Sequence, residues 1–214
     1  MGSTIATRAI AERSVAVPTD ASVEIVFCFD HEEVGSRSYQ GAEGTLANDT
    51  FERIFWGLFP GGKKTVESVE LFKTCIKRSM LVSADNGHAT HPNYADREQT
   101  NHRCAMQQGI IIGIDANQGM TTDCQTNSIV HEICDLAKVP YQEQIDIAGT
   151  SGGSTIGPPI SANIGMMTCD IGTAQLAMHS IREFGGVVDT LYYKNFFKQF
   201  FTSFTEVRGS LFQD

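Results

Sequence analysis

An apolar run that stops at four ionisable residues is the feature that most restricts what this chain can fold into. In SVEIVFCFDHEEVGSRSYQGAEG, residues 22–44, Val23, Ile25 and Phe27 alternate with Val26 and Cys28, and the run then meets Asp30, His31, Glu32 and Glu33. Apolar residues on both faces are the pattern of a strand buried on both sides, as parallel sheets require. The expectation is a central strand over 23–29. The pattern recurs at 80–84, where Met80 to Ala84 leads into Asp85, and GIIIGID at 109–115 and the stretch 141–147 read as further strands. MMTCDIG at 166–172 is a last strand, with 175–179 leading out of a loop toward the final helix.

Helical periodicity fills the intervals. Residues 4–13 form a short helix broken near Pro18, and Leu46, Phe51, Ile54, Phe55 and Leu58 share one face of a helix over 44–58. PGGKK at 60–64 separates it from a second helix ending near Lys77. An amphipathic helix spans 128–138, residues 161–164 close another, and 187–204 is the last. Strands alternating with helices mean an α/β architecture.

Composition narrows the function classes. At 214 residues and 41% hydrophobic, the chain supports one large domain. A net charge of -9 disfavours nucleic acid and anionic membranes as partners, since both would repel it. No uninterrupted apolar run approaches the ~18 residues of a membrane helix. Cys28, Cys75, Cys104, Cys124, Cys134 and Cys169 form no CxxC pair and no basic-then-apolar leader opens the chain, so reduced thiols and a cytoplasmic location are expected.

Ligands of open α/β sheets sit beyond the carboxyl ends of strands, which directs attention to Asp30–Glu33, Asp85 and the region of His179. Adjacent glutamates in a regular strand face opposite ways, but where the chain turns both can serve one cavity. One could hold a cation that acidifies water while the other takes the proton, the division of labour in metal-assisted hydrolysis. The HExxH pattern is absent, because Gly35 stands where a second histidine belongs. A solvated acidic turn and an Asp-Asn-Gly turn at 85–87 are the competing readings. The polar segment 86–103, with three histidines, reads as a long loop, and His131 and His102 read as ordinary surface residues. Glycines 152, 153 and 157 follow a strand but lack the spacing of a phosphate loop, and no cysteine has a nucleophile signature.

FDHEEVGS (29–36), QGA (40–42), SADNGHATHPNY (83–94), NHR (101–103), GGSTIGP (152–158) and QLAMHSIRE (175–183) together resemble the aspartyl aminopeptidases, the M18 family of zinc metallopeptidases. The likeness runs from about residue 23 to 204. It implies a three-layer α/β/α catalytic domain, here the C-terminal part of a single domain over 1–214, without the family's inserted oligomerisation domain. It implies two zinc ions and removal of N-terminal, preferentially acidic, residues from peptides. Carried over by position, Glu32 is the general base and Glu33, Asp85 and His179 are metal ligands; His91, Gly152, Gly153, Ser154 and Thr155 are expected to contact substrate, His91 in a neighbouring subunit's site. A homo-oligomer, or assembly with full-length subunits, follows. Two departures are expected to matter. A bridging aspartate and one histidine ligand belong to an N-terminal half not found here, which predicts weak metal binding and little activity for this chain alone. Gly113 stands where the family commonly has a lysine, which weakens selectivity for acidic residues. The alternative is a non-catalytic paralogue that assembles with or regulates full-length aminopeptidase subunits.

Overall fold

The computed structural model describes residues 2–14, 22–59, 61–145, 147, 149, 153 and 156–212. Its sheet is mixed. Four strands follow the order β1 (Met80–Ala84), β5 (Met167–Leu176), β3 (Ile110–Ile114), β4 (Tyr141–Ile145), while β2 (Gly87–His88) and β6 (Phe184–Gly185) also pair with β5. β1 and β5 run parallel, as do β3 and β4, but β3 meets β5 antiparallel.

Side-chain alternation divides the strands between two faces. Met80 and Val82 of β1, Ile110 and Ile112 of β3, and Cys169 and Ile171 of β5 join the largest core. α1 (Gly2–Ser14), α4 (Cys124–Ala137) and α6 (Val187–Leu211) cover this face, contributing Ala9, Ile129, Ile133 and a run of α6 aromatics from Tyr193 to Phe204. The opposite face splits into smaller clusters. Leu81 packs beneath α2 (Leu46–Leu58), α3 (Val66–Arg78) and α5 (Gly157–Ile164), while Ile111 and Ala174 pack with Ala89 and Cys104 of the long loop. Helices on both faces of the sheet make the expected three layers.

Capping sets where two helices begin. Asp123 accepts from the Thr126 N–H at 2.8 Å while the Thr126 hydroxyl faces the Asp123 N–H, so α4 starts four residues before the expected 128. Thr65 and Ser68 do the same for α3. α5 starts at Gly157 with proline at its N-terminal turn, where the missing N–H is harmless.

Two expectations fail. β5 runs four residues beyond the expected 172, because Thr173 to Leu176 find partners in β2, β3 and β6. The larger correction concerns 23–29: the segment is extended but belongs to no sheet. Its side chains do alternate, Val26 packing with the α6-side core and Phe27 and Phe29 with Leu81 on the other face. Two-sided burial is therefore real, but the ladder that would make it a central strand is absent among the described residues. The long loop is also less irregular than expected, holding β2 and a 3-10 turn at Ala95–Arg97. All six cysteines are free thiols, and among the described residues no helix is long and apolar enough to cross a membrane.

Candidate active site

The run 22–29 feeds a knot of turns centred on Ser36. Ser36 is fully buried with φ 53°, and its hydroxyl donates to the Asp30 carbonyl at 3.1 Å and accepts from the Ala42 N–H at 2.8 Å. Its own N–H donates to the His31 carbonyl at 2.7 Å, and its carbonyl accepts from the Glu43 N–H at 3.2 Å. A side chain at Gly41 would bring its Cβ within 2.1 Å of the Ser36 carbonyl oxygen, so only glycine closes this turn. Held by these bonds, Glu32–Val34 forms a 3-10 turn flanked by left-handed His31 and Gly35. The turn carries both glutamates past the end of the apolar run.

A second turn faces it. β5 and β6 form a hairpin, pairing Leu176 with Phe184, and His179 stands in its loop with φ 63°. The Glu183 carboxylate accepts the His179 N–H at 2.8 Å and holds that left-handed backbone in place. From there the imidazole Nε2 comes within 3.0 Å of the Glu33 carboxylate. Both side chains are largely open to solvent. Two residues separated by 146 positions, each expected to ligate metal, are thus in contact.

Asp85 comes from a third place, and not from the end of the sheet. β1 and β2 pair with β5 in one continuous register, Ala84 with Ile171 and Gly87 with Ala174, and Asp85–Asn86 is the interruption between them. The Asp85 N–H still donates to the Ile171 carbonyl at 2.9 Å, and the Asn86 side chain fills the gap by accepting from the Thr173 hydroxyl at 2.8 Å and donating to Gln175 at 3.0 Å. Gly172 permits this close approach, since a Cβ there would lie 1.8 Å from the Asp85 carbonyl oxygen.

The Asp85 carboxyl is raised from 3.8 to about 6. Loss of hydration is the largest cause, followed by the negative charge of Glu32, with smaller contributions from Glu33 and Asp170 that the Asn86 N–H only partly offsets. The residue as a whole remains open to solvent, so water screens part of that repulsion. Asp170 is buried and satisfied, accepting from both the N–H and the hydroxyl of Thr121 at 2.5 and 2.7 Å. The corner where Glu32, Glu33 and Asp85 lie is therefore rich in negative charge, which is what a cation site supplies before the cation arrives.

The other expected residues are more scattered. His91 belongs to the long loop, where its Nδ1 accepts from the Asn93 N–H at 3.1 Å and its ring lies 5.0 Å from that of Tyr94. Gly153 is exposed, and Gly152, Ser154 and Thr155 lie outside the described residues. His131 is not an ordinary surface residue, for it stacks on Tyr141 at 4.3 Å and approaches Glu143 at 3.3 Å. Three supporting residues carry no sign of their role in spacing or composition: Ser36 and Glu183 hold backbone groups, and Asn86 bonds the side chains of Thr173 and Gln175. Left-handed backbone at the non-glycine residues Ser36 and His179 marks these turns, and residue spacing does not reveal it.

The sequence profile described as aminopeptidase I zinc metalloprotease (M18) matches residues 3–201. The chain belongs to the M18 aminopeptidase family. The aspartyl aminopeptidase of Dictyostelium discoideum is 40% identical to this M18 chain over 182 residues, which are 85% of the chain and 38% of the relative. In a cryo-EM structure of an Ape4 and Nbr1 complex, one chain superposes with a TM-score of 0.89 at 34% identity, covering 99% of this chain and 39% of that one. The S. cerevisiae mApe1 dodecamer gives 0.81 at 29% identity, covering 100% of this chain and 46% of that one. This M18 chain thus spans less than half the length of the relatives it matches.

The M18 family is a zinc family, and the donor types here suit zinc: an imidazole nitrogen and carboxylate oxygens. The number gathered does not. Glu33 and His179 meet, but among the described residues no group of three or more His, Cys, Asp or Glu converges as a cation site. A zinc site takes three protein ligands at least, and the described residues do not bring three together.

Proposed function

We propose that this chain supplies the general base and part of the metal-binding side of an M18 metalloaminopeptidase that removes N-terminal residues from peptides. The contact of Glu33 with His179 across 146 residues carries the reading, because nothing in the packing requires an exposed histidine in a left-handed turn to meet that carboxylate. In this proposal Glu33, Asp85 and His179 are ligands. Glu32 takes a proton from the water that attacks the peptide carbonyl and passes it to the leaving amine. The Ser36 knot holds that carboxylate in position, and Glu183 fixes the histidine.

His91 and residues 152–155 face substrate in this reading, and zinc, as two ions, is the metal. The relatives' names supply aspartyl peptides as the substrate class, with selectivity for acidic residues weakened at Gly113, whose neighbour is the uncharged Met120. Assembly with further subunits follows the dodecamer among the similar structures, and the cytoplasm is the proposed compartment. The second reading, a non-catalytic companion of full-length subunits, draws on the absence of a three-donor group among the described residues.

Hydrolysis of aspartyl and neutral aminoacyl substrates by the purified chain, beside its Glu32→Gln variant, separates the two. Zinc-dependent turnover that falls about 10²–10⁴-fold in the variant supports the enzyme. No turnover and no stoichiometric metal in either protein favours the companion.

A further inference from the structure

The charge of -9 is not spread evenly along the chain. Between Arg53 and Glu67 there is no acidic residue, and Lys63 and Lys64 lie in that stretch, in a chain whose acids outnumber its lysines and arginines 25 to 16. The stretch is the end of α2, the start of α3 and the turn that joins them. Leu58 and Val66, one on each helix, are 68% and 77% exposed, and both lysines between them are exposed. A Cβ built at Gly57, Gly61 or Gly62 would meet nothing within 4 Å, so the turn projects. It is fastened from within: the Gly62 N–H donates to the Phe59 carbonyl and the Ser68 hydroxyl to the Lys63 carbonyl, each at 3.2 Å. Trp56 meets Phe55 and Phe59 with ring centroids 5.1 and 6.2 Å apart, and the Lys64 ammonium lies 6.0 Å over the Trp56 ring. Aromatic rings, exposed aliphatic side chains and lysines on one projecting turn suit the boundary between lipid and water.

Charge and area identify the partner. A lysine beside an anionic lipid surface strengthens binding about fivefold. The nearest acids in sequence are Glu52, half-buried on α2, and Glu67 and Glu70 of α3, where the helix N-terminus offsets the charge of Glu67. The negative charge elsewhere is no bar, because α2 is 13 residues, about 20 Å, long and the screening length at physiological ionic strength is about 8 Å. A second copy of this chain is also acidic, but a turn with two exposed aliphatic side chains offers far less than the ~800 Å² per partner that a stable interface buries. A bilayer needs no matching shape, since exposed side chains enter it singly.

We propose that the turn between α2 and α3 docks this chain on an anionic lipid surface. Leu58, Val66 and the Trp56 ring enter the headgroup boundary, and Lys63 and Lys64 meet the negative headgroups. α2 starts just after Glu43, whose N–H bonds Ser36, and ends at the turn, so docking holds the carboxylate corner on the order of 20 Å from the bilayer. Nothing in this docking depends on whether the chain is catalytic.

Trp56 is the single tryptophan of the chain, so its emission reports on the turn directly. The purified full chain is mixed with vesicles of phosphatidylcholine, alone or with about 30% phosphatidylserine, at about 0.15 M salt, and read by co-sedimentation and by Trp56 emission. The expected result is binding to the anionic vesicles with blue-shifted emission, and no binding to the neutral ones. Lys63→Gln combined with Lys64→Gln lowers the partition coefficient about 25-fold. Leu58→Ser combined with Val66→Ser removes the blue shift. Unchanged far-ultraviolet circular dichroism shows that both variants remain folded. Absence of binding, equal binding to neutral vesicles, or binding with Trp56 emission unchanged overturns the proposal. So does a dimer in solution that the two lysine substitutions dissociate, because the turn would then dock a second copy.

Discussion

The helix-covered face of the sheet and the segment that leads to the carboxylates are held in very different ways. On the helical face, α4 and α6 lock the sheet with residues that have almost no exposure: Ile129, Ile133, Tyr193 and Phe196 are each at 1% or below. On the carboxylate side, the segment before Asp30 has the side-chain pattern of a strand without a ladder among the described residues, and the turns that follow are held by a few hydrogen bonds to Ser36 and Glu183. One side is fixed by area buried, the other by a few polar contacts. The first makes the chain fold; the second leaves the chemical groups adjustable.

If the comparison is right, perturbations should separate by side. Phe196→Ala, which empties a fully buried position between α6 and the sheet, should cost about 3–5 kcal/mol in urea unfolding and leave few soluble molecules. Asp189→Ala comes next. Its buried carboxylate accepts from the backbone N–H groups of Gln107 and Gly109 at 2.6 and 3.2 Å, and stranding them should cost about 1–3 kcal/mol. Phe27→Ala, on the open side, should cost only about 1 kcal/mol in the same assay, since the ring is half-buried on a segment with no ladder among the described residues. A cost equal to that of Phe196→Ala would erase the distinction.

The smallest expected effect is electrostatic. The folded-state value of Asp85 lies above its ordinary one, so its ionisation opposes folding. Without metal, the stability of the parent chain should fall as pH rises from about 4 through about 6, and Asp85→Asn should flatten that part of the profile while raising midpoint denaturant slightly at pH 7. An unchanged profile in the variant would mean that the carboxylates do not crowd one another.

The same contrast governs how much could be read from residues alone. Apolar runs placed β1, β3 and β4, and helical spacing placed α2, α3 and the core of α4, because burial leaves a periodic trace in composition. That trace does not record partners. Val23 to Phe29 look like a central strand because Val26 and Phe27 are half-buried on opposite sides, yet no ladder accompanies that burial among the described residues. The antiparallel meeting of β3 and β5 leaves no trace either, since both directions accept the same apolar residues. At the site, Glu33, Asp85 and His179 were legible through motifs, and two of the three are in contact. Ser36, Asn86 and Glu183 stand in the same motifs, but their roles were not legible, because a residue that works by holding a turn resembles any polar residue in a loop.

Zinc titration of the purified chain by calorimetry, beside Glu33→Ala and His179→Ala, tests the central claim most directly. The account predicts binding in the micromolar range or weaker, as expected of an incomplete ligand set, and its loss in both variants. Zinc binding that survives in either variant would contradict it, because the 3.0 Å contact would then have no part in holding the metal.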